Sequence, residues 1–234
     1  MPAERPGLPT PDAFPRRILL AVTGLSPQVV TETLYALATA SEGRFLPTEI
    51  HLLTTAEGEK LAKAALLHPD GGQFHALLAD YPQIGRPAFD ERHIHVIAGA
   101  DGAPLPDIRT LEENTAAADT ITALMAQLTR DDDSALHVSI AGGRKTMGFY
   151  LGYAFSLYAR PQDSLSHVLV SAPFESHPEF FFPPASPRRL TTRDGRHIDT
   201  AGAVITLANI PVVRLRHGLP PDLKEGRAGY CQTV

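Results

Sequence analysis

Two short loops combine small residues with groups that can bind or cleave a phosphate ester. The first, "TGLSPQ", follows an apolar run and contains the hydroxyl of Ser26. The second, "AGGRKT", follows another apolar run and contains Arg144 and Lys145. Glycines let a backbone approach a ligand closely, and the free N–H groups at a helix start attract anions. The two loops therefore predict an anion site suited to phosphate.

The charges in the second loop strengthen this prediction. Arg144 and Lys145 stand in the first turn of a predicted helix, where cations oppose the helix dipole. A bound phosphate would offset that cost. Each feature also has a simpler explanation: Ser26 could serve only as a helix N-cap, and the two cations could be solvated surface groups. Gly142 and Gly143 could form nothing more than a tight turn.

Several familiar motifs are absent. A P-loop needs glycine at the positions that Ser139 and Arg144 occupy. "GLSPQ" lacks the second glycine of a nucleophile elbow, and no GxGxxG fingerprint occurs. These differences disfavour an NTPase, a serine hydrolase and an NAD-dependent enzyme.

Other titratable residues give weaker signals. His93 and His95 alternate on a predicted strand and could form half a metal site, but no third ligand has suitable spacing. We therefore expect a structural role for them and no metal. Glu32 and Glu113 are interpreted as carboxylates on helix faces.

Composition limits the partners and the location of the protein. The 234 residues carry a formal net charge of −5, which disfavours long nucleic acids. The single cysteine, Cys231, allows no intrachain disulfide and no cysteine-based zinc site. No apolar run approaches the roughly 20 residues of a membrane span. We expect a cytoplasmic protein with no membrane partner and no cofactor.

The elements between the loops predict an α/β protein. Apolar runs at 17–22, 49–54, 93–98, 135–140 and 166–171 read as strands, and helical patterns separate them. This alternation predicts a Rossmann-like, mainly parallel sheet with helices on both faces. Ligands bind such sheets at the carboxyl ends of the strands, where both loops would lie.

The domain organisation follows from the same pattern. Residues 1–16 are predicted to be a disordered lead-in, and residues 17–172 to be the Rossmann-like domain. Residues 173–234 are predicted to be a small β extension and loop packed on that domain. The basic stretch 173–200 could be a lid over a ligand or simply an exposed loop.

The stretches "ILLAVTGLSPQVVTETLYAL", "HVSIAGGRKTMGFYLGYAFSLY" and "LANIPVVRLR" resemble the CARF-domain ring nucleases of type III CRISPR systems. The resemblance covers most of the chain and implies a CARF domain that stands alone and forms a homodimer. It also implies that a cyclic oligoadenylate, usually cyclic tetra-adenylate, binds across the two-fold axis. The expected reaction is metal-independent attack by a ribose 2′-hydroxyl, which gives linear di-adenylate with a 2′,3′-cyclic phosphate. That reaction would switch off antiviral signalling.

The resemblance raises three residues to candidate catalytic groups. Lys145 would stabilise charge on the phosphoryl oxygens, Arg144 would offer a planar fork to phosphate, and Ser26 would bond the scissile phosphate or the 2′-hydroxyl. Further ligand contacts are predicted at seven nearby positions, which are Thr23, Gly24, Leu25, Gln28, Gly142, Gly143 and Thr146.

Two alternative functions remain open at this point. One is a CARF sensor that binds the ring without cutting it and signals to a partner. The other is a Rossmann-type enzyme of nucleotide metabolism. The sequence also leaves open whether the preferred ring has four or six adenylates.

Overall fold

The chain folds around one mixed sheet. The computed structural model describes residues 9–220 together with Asp222 and Tyr230. The strands are β1 Arg16–Val22, β2 Glu49–Thr54, β3 Ile94–Val96, β4 Ser134–Ser139, β5 Ser164–Val170, β6 Arg189–Thr191, β7 His197–Asp199 and β8 Ile205–Asn209. Six of them form the main sheet in the order β3-β2-β1-β4-β5-β8, and β6 and β7 form a separate antiparallel hairpin.

Helices cover both faces of the main sheet. They are α1 Gln28–Thr39, α2 Ala56–Ala62, α3 Gln73–Asp80, α4 Leu111–Leu128 and α5 Lys145–Tyr158. Because side chains alternate along a strand, Leu20 and Val22 of β1 pack with α4 and α5, whereas Leu19 and Ala21 pack with α1 and α3. Strands β1 to β5 are parallel, and β8 runs antiparallel to β5. The predicted fold class is confirmed.

The segments that were assigned to the ends of the chain divide differently in space. Residues 1–8 of the predicted lead-in lie outside the described residues, and Pro11–Ala13 form a short 3₁₀ turn. Strand β8, which belongs to the predicted extension, joins the main sheet beside β5. Cys231 lies outside the described residues. The division into domains stays a prediction.

The segment after β5 packs against α1. The Thr31 hydroxyl donates to the Phe181 carbonyl oxygen at 2.8 Å, and Gln28 Nε2 donates to the Pro178 carbonyl oxygen at 3.4 Å. Phe181 and Phe182 join the hydrophobic core on that face of the sheet. The outer side of α1 is therefore covered by protein.

This packing explains why Glu32 is not the helix-face carboxylate that the sequence predicts. Glu32 is 5% exposed and has no hydrogen bond or ion pair to another described residue. Burial raises its pKa to about 7. Glu113 lies on α4, as predicted, and its carboxylate also accepts the Thr110 N–H at 2.9 Å and closes a capping box at the start of the helix.

In the part of the chain that the structure describes, no helix combines the length and apolar character needed to cross a bilayer.

The burial of Glu32 predicts a pH-dependent loss of stability. Its carboxyl binds a proton more tightly in the folded chain than in the unfolded chain, so the free energy of unfolding falls as pH rises from about 4.5 to about 7. Glu32→Gln cannot ionise. Between pH 5 and pH 8 the free energy of unfolding of the wild type should therefore fall by up to about 3 kcal/mol relative to that of Glu32→Gln. Urea unfolding of both proteins at the two pH values measures this difference.

The comparison has an internal control. Burial lowers the pKa of His137 to about 3, which destabilises the fold as pH falls below about 6.5, but this histidine is present in both proteins and cancels. Glu42→Gln changes an exposed glutamate and should follow the wild type at both pH values. Parallel pH dependence in wild type and Glu32→Gln would contradict the prediction.

Candidate functional site

The candidate site lies where the chain changes direction across the sheet. From β1 the chain runs outward to β2 and β3, whereas β4 and β5 lie on the other side of β1. The loop 23–27 leaves the carboxyl end of β1, and the loop 140–144 leaves the carboxyl end of β4 beside it. Such a switch point opens a cleft between two helix starts. The structure thus brings together the two loops that the sequence singled out.

Glycines allow these loops to touch. A Cβ built on Gly142 would lie 2.4 Å from the Val22 carbonyl oxygen, so no other residue fits there without moving the backbone. A Cβ built on Gly24 would lie 3.4 Å from the Gly143 Cα. Gly143 has a φ of 79°, which favours glycine. The alternative that the two glycines only form a turn is therefore too narrow, because Gly142 also sets the spacing of the loops.

The loops 23–27 and 140–144 and the helix starts that follow them form the rim of the candidate site. Two buried oxygens at this rim have no hydrogen-bond partner among the described residues. They are Thr23 Oγ1 and Gln28 Oε1. The Thr23 backbone is fixed, since its N–H donates to the Leu53 carbonyl oxygen at 3.0 Å and its carbonyl oxygen accepts from Thr54 Oγ1 at 2.9 Å. Buried polar atoms normally have partners. Both oxygens could accept a hydrogen bond from a ligand, and the Thr23 hydroxyl could also donate one.

Lys145 is the first residue of α5, and its side chain is exposed. Within residues 9–220, 222 and 230, it forms no hydrogen bond or ion pair with another side chain. Thr146 follows it and is also exposed. An ammonium group and the N–H groups of a helix start therefore face solvent together, which suits an anion.

Arg144, in contrast, already has a counter-ion. Its Nε lies 3.1 Å from Asp107 Oδ1, and its Nη2 contacts Asp107 Oδ2. Asp107 also accepts from the Ile108 N–H and from Arg109 Nε. The Arg144 guanidinium holds the pKa of Asp107 well below its usual range. The explanation of Arg144 as a solvated surface group is incomplete, because this ion pair orders its guanidinium.

Ser26 does not cap α1, so that alternative is wrong. The helix begins at Gln28 after Pro27, and no side chain among the described residues forms a cap hydrogen bond at its start. Ser26 and Leu25 are both exposed. The Ser26 hydroxyl makes no hydrogen bond to a described residue, so the local fold does not require it.

The histidines form a cluster away from this rim. His51 Nδ1 lies 2.8 Å from His95 Nε2, and the His51 and His93 rings are 5.4 Å apart. His93 was predicted on a strand but ends the 3₁₀ turn Glu91–His93, because Asp90 caps that turn. Burial lowers the pKa of His95 to about 4. Among the described residues no group of ligands is arranged to hold a metal.

Sequence reasoning missed Asp107 and His51. Asp107 precedes α4 in a loop whose position depends on how β3 and α4 pack, and only its acidic character in "PDIRT" marked it. His51 alternates with Glu49 on a strand that was predicted correctly, and their contact at 3.0 Å follows from the strand period of two.

The stretch 173–200 is not a free loop, and its Pro178 carbonyl oxygen accepts a hydrogen bond from Nε2 of Gln28 at the rim. Arg188 Nη2 donates to the Glu179 carbonyl oxygen, and Arg196 pairs with Asp194. Phe174, Phe180 and Leu190 form a small hydrophobic cluster under the hairpin. The lid hypothesis stays a prediction.

The fold and the rim together define a Rossmann-like α/β protein with a candidate anion site at its switch point. Residues 26–230 match the sequence model of the CRISPR-associated protein NE0113 family. Because the match covers most of the chain, the protein belongs to this CRISPR-associated family. None of the curated proteins with which the sequence was compared matches it.

The spacing of the loops predicts that Gly142 tolerates no side chain. Gly142→Ala places a methyl group against the Val22 carbonyl oxygen and should lower the free energy of unfolding by about 1–3 kcal/mol. Gly152→Ala is the matched control, because no described residue lies within 4 Å of its Cβ and alanine favours a helix. Urea unfolding compares the two variants, and equal stability would mean that the loops separate at no cost.

Proposed function

We propose that this protein is a CARF-domain ring nuclease that binds cyclic oligoadenylate, with cyclic tetra-adenylate as the ligand to test first. The observation that carries the proposal is the exposed Lys145 ammonium at the start of α5, two residues after the glycines that bring the two loops together. Membership of a CRISPR-associated family supports this assignment, and so does the resemblance of both loops to the ring nucleases. Cytoplasmic location and the role in ending antiviral signalling belong to the same proposal.

The proposed reaction needs no nucleophile from the protein. The ribose 2′-oxygen attacks the adjacent phosphorus, the bond from phosphorus to the 5′-oxygen breaks, and a 2′,3′-cyclic phosphate forms. The 2′-hydroxyl loses its proton, and the leaving 5′-oxygen gains one. The protein has to align these three atoms and stabilise the negative charge that develops on the phosphoryl oxygens.

Different residues at the rim would align the reacting atoms and stabilise the charge on the phosphoryl oxygens. Lys145 would place a positive charge on the non-bridging oxygens or donate a proton to the leaving oxygen. The Ser26 hydroxyl, which the fold does not use, would orient the 2′-hydroxyl or the scissile phosphate. Thr23 and Gln28 would fix the ribose or a base through their unpartnered oxygens. These roles suit a metal-independent reaction, because the nucleophile is already part of the substrate.

A homodimer is part of the proposal. Three large apolar side chains at or near the rim are exposed, namely Leu25 at 64%, Leu111 at 75% and Phe149 at 62%. Leu111 starts α4, and Phe149 lies one turn after Lys145 on α5, which packs beside α4. An exposed apolar group of this kind is typical of an interface. A two-fold axis there would duplicate Lys145 around a cyclic ligand.

One observation favours the alternative of a sensor that binds without cutting. The roles proposed for Lys145, Ser26, Thr23 and Gln28 include no base that would take the proton of the 2′-hydroxyl. Binding requires only the phosphate contacts, whereas cleavage also requires proton transfer. The first experiment therefore measures both.

Purified protein should convert labelled cyclic tetra-adenylate to linear di-adenylate with cyclic phosphate ends in the presence of EDTA. The reason is that the substrate's own hydroxyl attacks, so no metal has to activate a nucleophile. Chromatography identifies the products, and a gel shift measures binding. A shift without products would indicate a sensor, and activity that EDTA abolishes and Mg²⁺ restores would contradict the proposed mechanism. If both the four-membered and the six-membered ring give no gel shift and no products, the proposed function is rejected.

Replacing the side chain of Lys145 or of Ser26 should slow cleavage more than it weakens binding of the ring. Lys145→Ala and Ser26→Ala remove contacts that strengthen in the transition state, so we expect single-turnover rates to fall by about 10²–10³-fold for Lys145 and less for Ser26. The dissociation constant should change by less than about tenfold. Rapid-quench kinetics and a binding titration measure the two effects.

Arg86→Ala is the control, because Arg86 is an exposed cation before the bridge at Ala88, near the amino end of β2. It should leave rate and affinity unchanged. Melting temperatures show whether Ser26→Ala folds normally, as the lack of a hydrogen bond from Ser26 to any described residue predicts. Equal losses of rate and affinity in Lys145→Ala would contradict its role in the transition state.

A further inference from the structure

The carboxylate of Asp107 occupies the guanidinium edge that a phosphate would use on Arg144. Nε and Nη2 of Arg144 face the two carboxylate oxygens of Asp107, which is the bidentate geometry that arginine also offers to phosphate. The free protein therefore holds an internal anion at this point of the rim.

This carboxylate is anchored independently of Arg144. The Ile108 N–H donates to Asp107 Oδ1 at 2.8 Å, and Arg109 Nε donates to Oδ2 at 3.0 Å. The Asp107 side chain is 19% exposed, whereas that of Arg144 is 54% exposed. Arg144 is thus the more accessible partner, and it can turn toward a ligand while Asp107 stays in place.

The charges of Arg144 and Asp107 determine how this ion pair affects the binding of a phosphate. A phosphate that approaches Arg144 meets a guanidinium whose charge is already offset, beside a fixed negative charge. The repulsion between two anions at contact distance outweighs the benefit of having one arginine side chain ordered in advance. Asp107 therefore opposes anion binding more than it assists it.

We propose, on the basis of the function proposed above, that Asp107 competes with ligand phosphate for Arg144 and so determines which ligands this arginine contacts. A ligand with a single phosphate gains too little to release Arg144. A ligand with several phosphates, held also by Lys145 and by the N–H groups of the loops, releases it. Arg144 would then contact a bound cyclic oligonucleotide but not the abundant mononucleotides that carry the same base.

The test compares the affinities of cyclic tetra-adenylate and AMP. Asp107→Asn keeps the size of the side chain and removes its charge. By calorimetric titration we expect cyclic tetra-adenylate to bind roughly tenfold more tightly, because it no longer has to break the ion pair, and AMP to gain no more than that. In an Arg144→Gln background the gain from Asp107→Asn should disappear, because the competition acts through Arg144.

Asp90→Asn is the matched control. Asp90 pairs with Arg92 through two oxygens in the same way, but it lies before the amino end of β3, away from the rim. This variant makes the same change in net charge and should leave both affinities unchanged. Unchanged or weaker binding of both ligands by Asp107→Asn would overturn the proposal, since Asp107 would then only position Arg144.

Two further measurements separate this proposal from the proposed function. If the wild type does not bind cyclic tetra-adenylate, the proposed function fails, and pyrophosphate becomes the probe. Tighter pyrophosphate binding by Asp107→Asn that needs Arg144 would still support the competition, and no gain would overturn it.

If Asp107→Asn does not fold, NMR spectra of the wild type test the proposal through the Nε–H signal of Arg144. The Arg144→Lys variant assigns this signal. Release of Arg144 predicts that cyclic tetra-adenylate shifts this signal and AMP does not. A bound ring that leaves the signal unchanged would overturn the proposal.

Discussion

The contact between the loops after β1 and β4 is the constraint on which the candidate site depends. Neighbouring parallel strands bring two helix starts to one edge of a sheet, but ordinary side chains would keep the two loops apart. Gly142 removes that obstacle, because a Cβ at its position would lie 2.4 Å from the Val22 carbonyl oxygen. The first turn of α5 is thereby held beside the loop that leads into α1. Lys145, Thr23 and Ser26 share one rim for this reason.

The charge at that rim is arranged residue by residue, although the whole chain is acidic. The formal net charge of −5 is spread over the sequence, whereas Arg144 and Lys145 are adjacent at the start of one helix. Asp107 offsets Arg144 and leaves Lys145 without an ion pair among the described side chains. A local anion site and an acidic protein are therefore compatible, because fields from exposed distant charges are screened within about 10 Å.

What the sequence could predict depended on the range of the interactions involved. Strand β2 was predicted with its observed bounds, because a buried apolar run needs only local patterning. The positions of the two loops followed from the general rule for parallel sheets. The partner of Arg144 lies 37 residues away, so no local pattern indicated it. Glu32 was misassigned for the same reason, since the segment that covers α1 follows β5, far along the chain.

The segment 171–183, which follows β5 and covers α1, also limits how the candidate site could close over a ligand. Its start is fixed where the Ser171 N–H donates to the Val204 carbonyl oxygen at 2.9 Å, beside the pairing of β5 with β8. Its middle is fixed where Tyr81 Oη donates to the Pro183 carbonyl oxygen and Thr31 donates to Phe181. A rigid swing of the whole stretch would break all of these bonds and expose Glu32. Any movement of this stretch toward a ligand would therefore be confined to the hairpin of β6 and β7, whose exposed turn carries Arg193.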